Sequence, residues 1–340
     1  MFSRVSKSKT SPTTAANTIP PSAPRLMRWA LLFGCWFVFL AGCASIPEQV
    51  RQLPGQAQPI ELSNTPFFPQ ERFQCGPAAL ATVLVSSGAK VAVADLVDKV
   101  YLPGRGGSLQ VELLAATRTV GRIPYLIDGT LDSLFAELRS GRPVLVLQNL
   151  GVNLLPRWHY AVVVGIDPSA GTVMLRSGTD KRRLTPMRTF LHTWRRSDYW
   201  AMVTLRPGEF PAEVERGRYL AALAAFEQAG QHTGTTAVWQ AARRRWPADA
   251  LVLFGLANAH YADGNYAAAE TVLSELLAGD ENNAIARNNL AMTLIKQGDF
   301  AGALQHVEYA LTIVTDASIK AELLATRSLA TAGLEHATRD

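Results

Sequence analysis

The sequence predicts an α+β domain followed by an all-α domain of helical repeats. Within the first domain, a glycine–proline pair opens an apolar helix near residue 75, and a β-branched run at 158–166 returns through a turn as a second strand. In the second, small and apolar residues recur every 34 positions. We expect the domains to cover 63–206 and 216–334, each long enough for its own core.

The first 42 residues are expected to be an export signal with a disordered extension before it. Arg25 and Arg28 precede an apolar run, Trp29–Gly42, that ends in small residues before Cys43. A membrane-spanning helix needs about 20 apolar residues, so this run is too short for a permanent anchor. The segment resembles a bacterial lipoprotein signal, which implies that Cys43 becomes the lipidated first residue and that 43–62 is a tether.

The net charge of the mature chain indicates which partners to expect, and the resemblance to lipoproteins indicates where the protein is located. Five of the 33 basic residues precede Cys43, and without them the basic residues match the 28 acidic ones. A chain without net charge gives no reason to expect a nucleic-acid partner. Ala44–Ser45 lacks the aspartate that usually retains lipoproteins at the inner membrane. We therefore expect a bacterial envelope protein that is lipid-anchored to the outer membrane and faces the periplasm.

Cys75 is the only cysteine after Cys43. It starts the predicted helix, where free N–H groups and the positive helix end favour thiolate over thiol. Gly76 and Pro77 suit the first turn of a helix. Gln70, just upstream, is a neutral donor of the kind that lines an oxyanion hole. An inert buried thiol is the alternative for Cys75.

His159 begins the first strand of the predicted hairpin. If Ile166 pairs with Thr172 at the tip, Ser177 and Asp180 lie near the imidazole at the open end. A polar residue that merely ends a strand is the alternative interpretation of His159.

Taken together, Gln70, Cys75 and His159 resemble the site of papain-like cysteine peptidases of the bacteriocin-processing (double-glycine leader peptidase) type. The resemblance covers roughly 63–206 and depends on Gln-x4-Cys-Gly-Pro-Ala-Ala-Leu and on His-Tyr-Ala-Val-Val-Val-Gly. It implies an α+β fold with N-terminal helices and an antiparallel sheet. It also implies that Cys75 is the nucleophile, His159 the general base and Gln70 an oxyanion donor.

The third catalytic residue departs from the family pattern. The family's acid follows the returning strand as Asp-Pro, whereas this chain has Arg176-Ser177-Gly178-Thr179-Asp180. We expect Asp180 to orient the imidazole, with Ser177 as the alternative and a Cys-His dyad as a third arrangement. Asn149, which follows a predicted strand, is a further candidate for contact with the site, and His192 is an outside candidate for the base.

Apolar spacing predicts the remaining scaffold: helices at 93–101, 108–120 and 131–139, and strands at 144–148 and 199–205. The glycine-rich stretch 103–107 is interpreted as a loop beside the substrate or as a plain connection. No strand precedes it and no Gly-Lys-Ser/Thr follows, which argues against a phosphate-binding loop. The other histidines lack paired ligand spacing, so we expect no metal and no cofactor.

The second domain resembles tetratricopeptide repeats. Four residues recur 34 positions later: Leu256, Ala257, Gly264 and Ala269 as Leu290, Ala291, Gly298 and Ala303. The period predicts a degenerate repeat at 216–249, two repeats at 250–283 and 284–317, and a capping helix at 318–334, with a hinge at 207–215. Stacked helix pairs leave a groove for a peptide or protein partner, and an array without a ligand is the alternative.

The sequence thus predicts a membrane-anchored periplasmic cysteine peptidase that cleaves peptide (amide) bonds through an acyl-enzyme, with repeats that recruit a substrate or a partner. The alternative is a catalytically inactive, peptidase-like scaffold lipoprotein that organises an envelope complex. Acyl transfer to an acceptor other than water is a smaller third hypothesis. Leader cleavage is not carried over, because the relatives with that activity are usually fused to a transporter.

Overall fold

The computed structural model describes residues 58–70, 75–230 and 234–338. The expected signal, Cys43 and most of the expected tether lie outside these ranges. Within them, no helix combines the length and the apolar character needed to cross a membrane. The described residues form an α+β domain with an antiparallel sheet, followed by an all-α array, which confirms the predicted fold class.

The α+β domain contributes seven strands and five α-helices to the described part of the chain. They are β1 (Ile60–Glu61), α1 (Cys75–Ser86), α2 (Val93–Val100), α3 (Gln110–Thr119), β2 (Ile123–Leu126), α4 (Leu131–Arg139), β3 (Val144–Asn149), β4 (Trp158–Asp167), β5 (Thr172–Ser177), β6 (Asp180–Pro186), α5 (Met187–Arg195) and β7 (Ala201–Leu205). The strands pair antiparallel in the order β2-β7-β3-β4-β5-β6, and β1 pairs with β4.

The two faces of the sheet carry separate parts of the core, because side chains alternate along each strand. On one face, Leu145 and Val162 pack with α1 and α2. On the other face, Val146 and Val163 pack with α4, α5 and the repeat helices. Residues 76–84 of α1 are all buried, so the first turn of this helix has a fixed position against the sheet.

The β4–β5 hairpin differs from the predicted register at its tip and agrees with it near its open end. Its tip pairs Asp167 with Thr172, one residue later than the predicted pair of Ile166 with Thr172. A β-bulge in β4 then restores the offset, and Val162 pairs with Arg176. The beginning of β4 and the end of β5 therefore lie together, as expected.

Among the described residues, the all-α domain consists of three helix pairs and a longer last helix. They are α6 (Arg216–Gln228), α7 (Thr235–Arg245), α8 (Ala250–Ala262), α9 (Tyr266–Gly279), α10 (Ala284–Gln297), α11 (Phe300–Ile313) and α12 (Ala317–Ala337). Asp249, Asn265 and Asn283 each cap the helix that follows by accepting backbone N–H bonds with the side chain. Each helix pair falls within one predicted repeat unit.

The stretch 207–215, predicted to be a hinge, is packed between the two domains. The Phe210 ring stacks on Tyr219 of α6, with ring centroids 4.7 Å apart. The Ala212 N–H donates to the carboxylate of buried Glu137 on α4 at 2.8 Å. One hydrophobic core runs from the sheet into the repeats. The prediction of a hinge is wrong, because this connection contacts both domains.

A substitution of Gly255, on α8, tests how closely the repeat helices pack. A Cβ atom there would lie 2.5 Å from a ring carbon of Trp239. We expect Gly255→Ala to lower the free energy of unfolding by about 1–3 kcal/mol, since overpacking outweighs the gain of about 1 kcal/mol in helix propensity.

Gly279, at the end of α9, is the matched control, because a Cβ there has nothing within 4 Å. Gly279→Ala should leave stability unchanged or raise it. Urea denaturation of the two variants measures the difference, and equal stabilities would contradict the packing argument.

Candidate active site

Cys75 is the first residue of α1 and is half-buried. The next residue must be small, because a Cβ on Gly76 would lie 2.3 Å from the Ser108 hydroxyl oxygen. The backbone N–H of Tyr160, on β4, donates to the Cys75 sulfur. The thiol is therefore held between the start of α1 and the start of β4.

His159 is the residue before Tyr160 on β4. Its Nε2 lies 2.8 Å from the Ser177 hydroxyl oxygen on β5. With its proton on Nε2, the imidazole donates to Ser177 and keeps Nδ1 free to accept a proton. Cys75 and His159 line the same cleft. A thiol nucleophile and its base must share a site in this way, within hydrogen-bond reach of each other.

Asp180 was predicted to orient the imidazole, but the structure shows no contact between the two residues. Its exposed carboxylate pairs with Arg183 at 3.7 Å. Asp180 faces Ser177 across the tight β5–β6 turn. Of the two strands that carry these candidates, β5 is adjacent to β4 and β6 is not, so Ser177, the alternative, is the residue that reaches His159. The third position of the site is a hydroxyl group and not a carboxylate.

Gln70 lines the cleft together with Cys75 and His159. Its backbone N–H donates to the Gly178 carbonyl oxygen at 3.1 Å. Residues 71–74, which join Gln70 to α1, lie outside the described residues. The structure thus brings Gln70, Cys75 and His159 to one cleft of about 1120 Å³, whereas Asp180, the fourth expected site residue, is not part of its lining. Other parts of its lining are Arg105–Gln110, Leu147, Pro156–Trp158 and Ser197–Asp198.

The glycine-rich stretch 103–107 also reaches this cleft. Its residues 105–107 are part of the lining, followed by Ser108. The Ser108 carbonyl oxygen accepts a bond from the Tyr160 hydroxyl at 3.3 Å. Of the two interpretations of this stretch, a loop beside the substrate fits its position.

Asn149 and His192, the two further candidates, do not line the cleft. The Asn149 side-chain oxygen accepts bonds from the N–H groups of Gly151 and Arg157, each at 2.9 Å, and so shapes the loop after β3. His192 is exposed on α5. In the described part of the chain, no group of His, Cys, Asp and Glu side chains is arranged to hold a metal ion.

Burial decides the protonation of the two reactive groups. It raises the pKa of the Cys75 thiol, although backbone N–H groups of Tyr160, Gly76 and Cys75 itself oppose the rise. It lowers the pKa of His159 to about 4, and the positive charge of Arg183 adds to this effect. Both groups are neutral at neutral pH. The prediction that the helix end leaves Cys75 as a thiolate is wrong for the resting site, because lost hydration outweighs the helix end.

Arg176 is a residue of this region that the sequence analysis missed. It is 4% exposed on β5. Its Nη2 donates to the carbonyl oxygens of Ser63 at 3.0 Å and Thr65 at 3.2 Å, and its Nη1 donates to a carbonyl oxygen of β6. These bonds hold the arm, residues 58–70, that carries Gln70 to the cleft. A cation that directly follows the apolar residues Val-Met-Leu of a predicted strand is the sequence signal that could have revealed it.

Comparison with protein families supports both domains. Residues 62–202 match the Peptidase_C39 like family. The chain carries a C39-like peptidase domain. Residues 236–284 and 258–318 match a tetratricopeptide repeat model, so the C39-like domain is followed by tetratricopeptide repeats. No significant match was found among curated proteins.

Solved structures resemble each part of the chain. A C39-like peptidase from Bacillus anthracis is 17% identical over 44% of this chain and 98% of its own, with a TM-score of 0.36. A double glycine motif protease from an AMS/PCAT transporter, in complex with the leader peptide, is 19% identical over 44% and 98%, with a TM-score of 0.33. The type III secretion translocator chaperone SycD of Yersinia enterocolitica is 17% identical over 36% and 90%, with a TM-score of 0.33.

Substitution of Ser177 tests its contact with His159. Ser177→Asp should raise the pKa of His159, because a carboxylate stabilises the imidazolium, and should speed alkylation of Cys75 by iodoacetamide at neutral pH. Ser177→Ala should slow peptide turnover by roughly three- to tenfold through loss of the hydrogen bond.

Asp180→Asn is the matched control and should leave both rates unchanged. The imidazole pKa is read by NMR titration and the alkylation rate by mass spectrometry. Equal effects of Ser177→Ala and Asp180→Asn on turnover would contradict the assignment of Ser177 as the neighbour of His159.

Substitution of Arg176 tests whether its hydrogen bonds hold the arm in place. Arg176→Lys keeps the charge but cannot reach three carbonyl groups, so Gln70 should lose its fixed position. We expect kcat for peptide cleavage to fall by roughly tenfold, as for a weakened oxyanion donor, while alkylation of Cys75 keeps its rate because iodoacetamide forms no oxyanion.

Arg182→Lys is the control, since the exposed Arg182 also bonds to the arm, through a pair with Glu61 at 2.8 Å. It should change neither rate. If Arg176→Lys reduced turnover and alkylation in parallel with a fall in melting temperature, Arg176 would be important for folding only.

Proposed function

We propose that the protein is a cysteine peptidase that cleaves peptide bonds, anchored by lipid on Cys43 to the bacterial outer membrane and facing the periplasm. Its repeats recruit the substrate or a partner protein. The observation that supports the activity best is the single cleft that contains Cys75, His159 and Gln70, with Ser177 2.8 Å from the imidazole. These residues all lie within 62–202, the range that matches the Peptidase_C39 like family.

In the proposed reaction, a substrate carbonyl carbon lies beside the Cys75 sulfur. Nδ1 of His159 takes the thiol proton as the sulfur attacks that carbon, while Ser177 accepts the Nε2–H bond. The electron pair of the carbonyl bond moves to oxygen, where the Gln70 amide and the Cys75 backbone N–H stabilise it. The imidazolium then gives its proton to the leaving amine as the C–N bond breaks.

The resulting thioester is cleaved by water. His159 takes a proton from the water as its oxygen attacks, and then returns that proton to the leaving sulfur, which restores the thiol and releases the carboxylic acid. Because both groups are neutral at rest, proton transfer accompanies the attack on the substrate. This differs from a site that stores a preformed thiolate.

The repeats offer a separate surface for a peptide or protein partner. Between α8 and α10, a groove of about 270 Å³ is lined by Asn258, Tyr261 and Met292, among others. Asn289 donates to Asn258 at 3.0 Å across this groove. Polar amides beside apolar side chains suit the backbone and side chains of a bound peptide, which supports a recruiting role for the repeats.

A second candidate function is a peptidase-like scaffold without turnover. Two observations favour it: burial raises the pKa of Cys75, and a neutral hydroxyl stands where the family has an acid. In that case the cleft would bind a peptide, and the repeats would organise an envelope complex. Turnover separates this candidate from the peptidase.

Turnover is measured with a quenched fluorescent peptide library and the full-length protein. We expect cleavage by the wild type and a loss of roughly 10³-fold or more in Cys75→Ala and in His159→Ala, since nucleophile and base act as one unit. Alkylation of wild-type Cys75 should be slow at neutral pH and should rise with pH, because the raised thiol pKa keeps the thiolate scarce.

His192→Ala is the control and should cleave like the wild type. Absence of cleavage by the wild type across the library would reject the peptidase in favour of the scaffold. Unchanged cleavage in His159→Ala would reject His159 as the base.

A further inference from the structure

The loop between β3 and β4 presents an unusual amount of apolar surface. Among the described residues, thirteen large apolar side chains are exposed, and five of them fall between positions 150 and 158. These five, which we call the apolar rim, are Leu150, Val152, Leu154, Leu155 and Trp158. Leu154 is 92% exposed and Leu155 is 75% exposed. Single exposed apolar residues are ordinary, but a cluster of this kind marks a contact surface.

The loop is held in place, so the exposure of the rim is built into the fold. The Leu150 N–H donates to the Arg157 carbonyl oxygen at 2.9 Å, and Val152 and Leu155 form a further bridge. At the base, the Asn149 side chain accepts two backbone bonds. Arg196, the residue that follows α5, donates from its guanidinium to the Gly151 carbonyl oxygen at 2.6 Å. The hydrogen bonds thus fix a hairpin whose tip faces solvent.

The apolar rim continues into the catalytic cleft. Trp158 is 54% exposed, belongs to the rim and also lines the cleft beside His159. Pro156 and Arg157 line the cleft next to it, and Leu147 extends the apolar lining inward. A polypeptide whose backbone reaches Cys75 therefore contacts this side of the cleft. A lipid surface would satisfy the exposed leucines, but it would not explain why the rim shares Trp158 with the cleft.

We propose that the apolar rim is the specificity-determining surface of the cleft and takes an extended polypeptide with apolar side chains next to the bond at Cys75. This inference rests on the proposed function, since it assigns the substrate class of the same site. Leu154 and Leu155 cover the apolar side chains of the substrate, and Trp158 packs against the residue nearest the bond. A polypeptide with polar side chains gains no binding energy from the apolar rim and is bound through its backbone alone.

Binding is tested in the full-length Cys75→Ala protein, which cannot turn over. The probe is a fluorescein-labelled peptide of alternating leucine and serine, compared with an all-serine peptide in fluorescence anisotropy. We expect the leucine peptide to bind more tightly than the serine peptide. Adding Leu154→Ser and Leu155→Ser should reduce the affinity for the leucine peptide by roughly tenfold or more and leave the affinity for the serine peptide unchanged.

The matched control adds Leu184→Ser and Leu251→Ser instead, two leucines with 53% and 61% exposure that lie on β6 and α8, away from the loop that forms the apolar rim. It should bind both peptides as Cys75→Ala does. Because all four leucines are exposed, both variants should melt at the same temperature as Cys75→Ala.

Four results would overturn the proposal. The first is equal affinity of the rim variant and the control for the leucine peptide, and the second is no binding of that peptide at all. The third is that the rim substitutions leave peptide binding unchanged but abolish co-sedimentation with phosphatidylethanolamine–phosphatidylglycerol vesicles, which would assign the rim to a membrane. The fourth is a wild-type dimer that the rim substitutions dissociate. Rim-dependent binding without any library cleavage would reject the peptidase and keep the rim.

Discussion

Desolvation of the Cys75 thiol and the His159 imidazole is the constraint on which the rest of the site depends. The packing of α1 against the sheet places both groups where water is scarce, so neither carries a charge at rest. In the proposed mechanism, charge forms only when a substrate carbonyl can receive it. The donors that face the oxyanion therefore need fixed positions before the substrate arrives, which is the task of the arm that carries Gln70.

Three consecutive residues at the end of β5 organise this arrangement. Arg176 binds the carbonyl groups of the arm, Ser177 contacts His159, and the Gly178 carbonyl oxygen accepts the Gln70 N–H. Gly178 has a φ of 62°, which its lack of a side chain permits in the tight turn. His159 and Gln70 are thus both held by one short segment, so a shift of this turn alters the positions of both. A neutral hydroxyl group keeps the imidazolium less stable than a carboxylate would.

Sequence patterns predicted the elements that bury their own apolar side chains. The β4–β5 hairpin and the repeats have clear periods, and the structure contains them. By contrast, β6 has five exposed residues in a row and is a strand only because it pairs with β5, so its sequence carries no alternation. Missing this strand made Asp180 look like a neighbour of His159. Spacing along a hairpin gives positions along the strands, but only the strand order shows which residue reaches the imidazole.

The continuous core between the two domains limits how the repeats can act. Phe210 and Trp246 pack edge to face at 5.8 Å, and Tyr219 packs against both rings, so α6 is joined to the connection by aromatic contacts. The repeats therefore pack directly against the C39-like domain through this connection. In the proposed function, this geometry decides which segment of a recruited chain reaches Cys75, and the apolar rim decides whether that segment stays. Recruitment and selection are then separate steps carried by separate surfaces.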